Sequence, residues 1–227
     1  GPASLTSTIL KSKPLKLVTV DLDERCEVII ENEIKPYYKN IDFIYGDALK
    51  INEKEIFKNK YKIISNLPYN IGTTLLFKWL ENINNIEDMT LLLQKEVVDR
   101  IIAKPKTKDY GRLSILCQYL CNVKKCFDIQ PTAFFPHPKV VSSVVSLKPK
   151  LDVDLTKVKK LSEICRILFN QRRKTILNNL NITIKNSEKC REILEKSNLD
   201  PKIRAEELEI KDILTLNENI NLALTIS

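Results

Sequence analysis

Short apolar runs alternate with longer stretches of helical apolar spacing through the first 150 residues of the chain. The runs at 15–20, 41–45, 61–65, 89–93, 123–129 and 143–147 have the length and β-branched content of strands, whereas 24–37, 73–81, 96–103 and 113–120 repeat apolar residues at helical intervals. Such an alternation buries both faces of a sheet as an α/β fold with a mostly parallel sheet. Prolines 131, 136, 138 and 149 punctuate the segment 130–150, and beyond it only amphipathic helices follow, at 158–170, 174–180, 188–195 and 210–222. The pattern predicts an α/β domain over 1–149 and a small all-helical domain over 150–227. The second is near the size at which a core alone becomes marginal.

The net charge of +8 favours an anionic partner. The excess is uneven, with 23 basic against 17 acidic residues up to position 150 and 14 against 12 after it, so neither part is a basic tail. Six cysteines raise the question of disulfides or zinc. No CxxC pair occurs and His137 is the only histidine, so buried free thiols in a reducing compartment are expected, with no metal. No apolar run approaches the ~18 residues of a membrane span and no secretory h-region opens the chain, so the expectation is a cytoplasmic protein without a membrane partner.

Three motifs fall on successive strand ends. Asp21 closes the run Val18-Thr19-Val20, and Asp47 follows Gly46 after the next run. In an open α/β sheet ligands sit beyond the carboxyl ends of the strands, where one carboxylate accepts ribose hydroxyls and another the exocyclic amine of adenine. Taken singly, each is also an ordinary cap or turn residue, and Asp23 reads as a helix cap. The third motif, Asn66-Leu67-Pro68-Tyr69, lies directly between a strand and a helix. An amine conjugated to a purine is a poor nucleophile because its lone pair is delocalised. The Asn66 side-chain oxygen and a backbone carbonyl of Leu67 or Pro68 can each accept one N–H, which orients the nitrogen. Tyr69 offers a flat face to a base removed from its stack.

These residues, together with Gln94 to Arg100, Tyr110-Gly111-Arg112-Leu113-Ser114, Phe134 to Val140 and Phe169 to Thr175, closely resemble the ribosomal RNA adenine N6,N6-dimethyltransferases of the small-subunit type. The resemblance runs over the whole chain. It implies a Rossmann-like fold using S-adenosylmethionine, with two adjacent adenosines near the 3′ end of 16S rRNA, in an immature 30S-type particle, as the substrate of a monomeric enzyme. It implies that Asp21, Asp47 and Asn66 bind the cofactor, and that Asn66, Leu67, Pro68, Tyr69 and Phe134 receive the target base, Phe134 packing on its far side. Family members usually have Glu where Asp21 stands. Gly1 and the residues after it resemble the second half of the family's glycine-rich cofactor turn, so Gly1 is assigned to the cofactor. The first strand and the cap over the cofactor are then expected to be missing from this chain, weakening its cofactor binding and activity.

A sulfonium methyl is already activated, so positioning matters more than a strong base, and His137 between two prolines is expected to shape a loop. Phosphate contacts are expected from Lys104, Lys106, Lys108 and Arg112 around the Pro105 loop, and from Arg172, Arg173 and Lys174. Two other readings remain open at the level of sequence: a large-subunit rRNA adenine methyltransferase of the macrolide-resistance type, and a non-catalytic ribosome-assembly or RNA-binding module.

Overall fold

A computed structural model describes residues 4–225. The chain forms two compact units, one of Gly1–Asn59 with Phe134–His137, the other of Lys60–Ala133 with Pro138–Ser227.

In the first unit, helix α1 (Ser4–Lys11) precedes strand β1 (Leu17–Asp21), helix α2 (Glu24–Ile29), strand β2 (Ile41–Tyr45) and the short helix α3 (Glu53–Ile56). Asp23 caps α2 by accepting the Arg25 N–H at 3.0 Å, as its position after a strand suggested. The helix expected over 24–37 is shorter than its spacing implied. It passes into a π-helical turn, Ile30–Ile34, and Pro36 then lacks the donor for another turn. β1 and β2 pair in parallel from Leu17↔Ile41 to Asp21↔Tyr45. Leu10, Ile30, Ile34 and Ile41 form the core, with Leu17, Tyr38 and Phe43 packed against it.

The second unit begins with β3 (Tyr61–Asn66), α4 (Gly72–Glu81), β4 (Ile86–Gln94), α5 (Lys95–Ile102), α6 (Arg112–Leu120), β5 (Cys121–Ile129) and β6 (Ser142–Pro149). The strand order is β3-β4-β6-β5, with β3 parallel to β4 and β6 antiparallel to both its neighbours. The parallel character expected from the alternation therefore holds for β1/β2 and β3/β4 and stops there. No α-helix lies between β5 and β6, and without a crossover helix the chain returns antiparallel. Met89, Leu91 and Leu93 alternate into the core along β4, and Leu75, Leu76, Trp79 and Leu80 of α4 are buried as well.

Helices α7 (Val158–Leu168), α8 (Ile176–Ile184), α9 (Ser187–Lys196) and α10 (Ile210–Thr225) complete this unit. α7 packs on α6, α8 and α10, and α9 packs on α8 and α10. Leu161, Ile164, Leu168, Ile176, Leu180 and Leu194 are buried in that bundle. Five cysteines are buried free thiols and Cys126 is exposed. Among the described residues there is no group of three or more His, Cys, Asp or Glu placed to hold a metal, and no helix long and apolar enough to cross a membrane.

Candidate active site

Because β1 and β2 are parallel and in register, Asp21 and Asp47 emerge from the same edge of their sheet. The two strand ends are joined there by the Gly46 N–H, which donates to the Asp21 carbonyl at 3.0 Å. Each carboxylate uses one oxygen to shape its own turn: Asp21 Oδ1 accepts the Asp23 N–H at 3.0 Å, and Asp47 Oδ1 accepts the Leu49 N–H at 2.9 Å. The second oxygen of Asp21 meets only the weak thiol donor of Cys26, at 3.7 Å. Both carboxylates thus keep acceptor capacity, which the donating hydroxyls of a ribose diol and the N–H groups of an adenine amine require. Gly1 lies outside the described residues. Phe134 belongs to this first unit and is half-buried, while Phe135 beside it is 97% exposed and meets His137 edge to face.

The Asn66–Tyr69 segment is built by its two flanks. Asn66 is the last residue of β3, in register with Leu92 of the parallel β4, and the Leu67 N–H donates to the Leu92 carbonyl at 3.2 Å. The Leu67 side chain is buried, which fixes the turn to the core and leaves Asn66, Pro68 and Tyr69 exposed. The Pro68 carbonyl accepts from Ile71 N at 3.2 Å and from Gly72 N at 3.0 Å, so both its lone pairs serve the first turn of α4. Of the two carbonyls considered from sequence, that of Pro68 is occupied and that of Leu67 is the remaining candidate acceptor. The Tyr69 ring is 37% exposed, and its hydroxyl bonds to Ser142 Oγ at 2.7 Å. Ser142 lies 73 positions away, in a strand with no motif of its own.

The basic residues divide into two kinds. Lys104, Lys106 and Lys108 are exposed on the loop before α6, and Arg173 and Lys174 are exposed between α7 and α8. Arg112 and Arg172 also have internal duties. The Arg112 guanidinium lies 4.7 Å from the centre of the Phe77 ring and donates to Ser162 Oγ at 2.9 Å. Arg172 donates to the Lys108 and Tyr110 carbonyls and lies 3.4 Å from Glu206. Both border a cleft of about 390 Å³, as do Arg100, Arg166 and Asp109. Arg100 and Arg166 escaped the sequence reading because isolated arginines on two different helices form no visible run.

Two solved structures share this architecture. A dimethyladenosine transferase from Plasmodium falciparum is 28% identical, with a TM-score of 0.83 over 98% of this chain and 88% of that one. The 23S rRNA methyltransferase ErmE, at 18% identity and a TM-score of 0.68 over 97% of this chain and 88% of that one, shares the fold. Fold and site together define a Rossmann-like methyltransferase.

The family model for ribosomal RNA adenine dimethylase matches residues 1–222, and the chain belongs to that family. Proteins named ribosomal RNA small subunit methyltransferase A are similar to it. The one from Ehrlichia chaffeensis is 40% identical over 97% of this chain and 83% of its own length. The one from Ehrlichia ruminantium is 43% identical over 93% of this chain and 80% of its own length.

Proposed function

We propose that this chain transfers methyl groups from S-adenosylmethionine to N6 of two adjacent adenosines near the 3′ end of 16S rRNA, as a monomer acting on an immature 30S-type particle in the cytoplasm. The observation that carries the reading is the Asn66–Tyr69 turn. It presents an exposed amide oxygen and a tethered aromatic face at the carboxyl end of a parallel strand, in a member of the adenine dimethylase family.

S-adenosylmethionine supplies, when bound, a methyl group on a positively charged sulfur. Asp21 and Asp47 would hold its ribose and adenine. The Asn66 Oδ1 and the Leu67 carbonyl accept the two N–H bonds of the target amine, drawing its lone pair out of conjugation. Their negative ends stabilise the cationic nitrogen that forms on transfer. The methylated nitrogen then gives up one proton to water, leaving a neutral amine with a single N–H, which the same acceptors still orient. Tyr69 stacks on the flipped base, offsetting part of the few kcal/mol of unstacking.

Under this reading residues 1–149 carry the chemistry and 150–227 form the helical RNA-binding part. The exposed lysines 104, 106, 108 and 174, with Arg173, meet phosphates, and the arginine-bordered cleft receives a further one through Arg100 and Arg166 beside Arg112 and Arg172.

Labelled S-adenosylmethionine with undermethylated small ribosomal subunits tests the assignment. Label should appear in dimethyladenosine of small-subunit RNA, and Asn66→Ala should reduce turnover by about 100-fold or more, as loss of a group stabilising developing charge does. Label confined to large-subunit RNA, or subunit binding without transfer, would overturn it.

A further inference from the structure

The Tyr69–Ser142 bond joins the most exposed aromatic of the turn to one of the most firmly held points of the sheet. Ser142 is fully buried and opens β6, paired with Gln94 of β4 on one side and Ile129 of β5 on the other. The preceding carbonyl, of Val141, accepts the Lys95 N–H at the start of α5 at 2.9 Å. The next residue, Ser143, is also fully buried and bonds to the Asp128 carboxylate at 2.5 Å, which in turn meets Lys125 at 2.7 Å. The backbone that carries the Ser142 hydroxyl is thus fixed on every side.

A hydroxyl at a buried strand position gains nothing from packing that Ala or Val would not supply, and burial requires that it be hydrogen-bonded. Here its partner is the phenol of a half-exposed ring on a turn of irregular backbone. A Tyr side chain has two rotatable bonds before its ring, and turning the second leaves the hydroxyl oxygen in place. The bond to Ser142 therefore fixes the direction of the ring axis, and because the phenol O–H and its hydrogen-bonding lone pair lie in the ring plane, it also favours the ring plane that contains Ser142 Oγ. The hydroxyl is tied while the residue stays 37% exposed.

We propose that Ser142 is a positioning residue for methyl transfer, its hydroxyl holding the Tyr69 ring in the plane on which an unstacked adenine rests. The inference rests on the reading of the chain as an adenine methyltransferase. Ser142 touches neither the base nor the methyl donor. It acts through Tyr69 by removing the ring rotations that would let the target amine drift from Asn66.

The test is steady-state methyl transfer to undermethylated small subunits by the full chain, for wild type, Ser142→Ala, Tyr69→Phe and the double variant. Losing one hydrogen bond of this kind corresponds to roughly a 3- to 10-fold fall in kcat. That fall is expected in either single variant and no further in the double, with KM for S-adenosylmethionine unchanged. Additive losses, or turnover at the wild-type level in Ser142→Ala, would overturn the proposal while leaving the enzymatic reading intact. Should Ser142→Ala fail to fold, Tyr69→Phe carries the test alone, because it removes only a hydroxyl from a half-exposed ring; wild-type kcat in that variant overturns the proposal. A wild-type chain that methylates no adenine defeats the enzymatic reading, and the role given to Ser142 falls with it.

Discussion

Asn66 stands at the end of a strand, and the residues that keep it there are apolar. Leu67 is buried beside Gly72, where a Cβ would stand 2.8 Å from Leu93 Cδ2 and 3.5 Å from Leu67 Cβ. Gly72→Ala therefore sets two effects against each other: a helix-propensity gain of at most about 1 kcal/mol and an overpacking cost of about 1–3 kcal/mol at a core whose other wall, Leu93, is 2% exposed. Overpacking wins, so thermal unfolding should move down by a few degrees as Leu93 gives way, while Leu67, at an ordinary contact distance, keeps its place and turnover at temperatures well below unfolding should change little. Calorimetry and methyl-transfer rates on the same preparation check both. What could be read from sequence at this scale was contiguous: Asp23 as a cap, Asn66 to Tyr69 as one turn. Ser142 and two of the cleft arginines, Arg100 and Arg166, were not legible, because their meaning comes from partners brought together by the fold.

Among the elements, the loop between α7 and α8 shows how a basic segment is presented. Asn179 of α8 is 1% exposed; its Oδ1 accepts the Gln171 N–H at 3.1 Å, and its Nδ2 donates to the carbonyls of Gln171, Lys174 and Thr175 at 3.1–3.4 Å. One buried amide thus sets the loop that carries Arg172, Arg173 and Lys174. Asn179→Ala takes these bonds from the Gln171 N–H and the Lys174 carbonyl, while the Gln171 and Thr175 carbonyls keep the Lys174 and residue-179 N–H donors. It should cost about 2 kcal/mol, seen in denaturant unfolding, with faster protease cleavage at Arg172–Lys174 and weaker RNA binding. The helix expected over 174–180 instead runs Ile176–Ile184, capped by Thr175, so Lys174 belongs to the loop. Strand positions were readable because alternation and β-branched content are local, and β2 falls where expected, at Ile41–Tyr45. Strand direction was not, since a period of two is the same in either sense. Helix α1 at Ser4–Lys11 was overlooked because its few apolar residues are dispersed among Ser and Thr.

For the molecule as a whole, the +8 charge and the buried thiols govern how it responds to its medium. Binding to a single-stranded rRNA fragment should weaken with salt, and Arg100→Ala or Arg166→Ala should each reduce the slope of log K against log salt by about 0.7, the value for one lost phosphate contact. Arg112→Ala should instead lower the unfolding temperature, because its guanidinium joins Phe77 to Ser162. The thiols set an alkaline limit. Burial pushes Cys121 and Cys165 up to about 12 and Cys117 well above its ordinary value of 9.0. The folded chain then keeps protons that the unfolded chain gives up above pH 9, so the stabilisation is present in full below pH 9 and is lost as pH rises towards 12. At pH 10.5 each of these two thiols should account for roughly 2 kcal/mol of lost stability. Raised lysines such as Lys157, held by Glu218, act in the same direction, so the contribution of the thiols has to be isolated by substitution. In reducing buffer, the Cys121→Ala/Cys165→Ala variant should start less stable at pH 7.5 because of the volume it loses, yet its unfolding temperature should decline less steeply than the wild type's between pH 8.5 and 10.5. Parallel declines would show that these thiols ionise in the folded protein as readily as in the unfolded one, and that their burial does not set the alkaline limit.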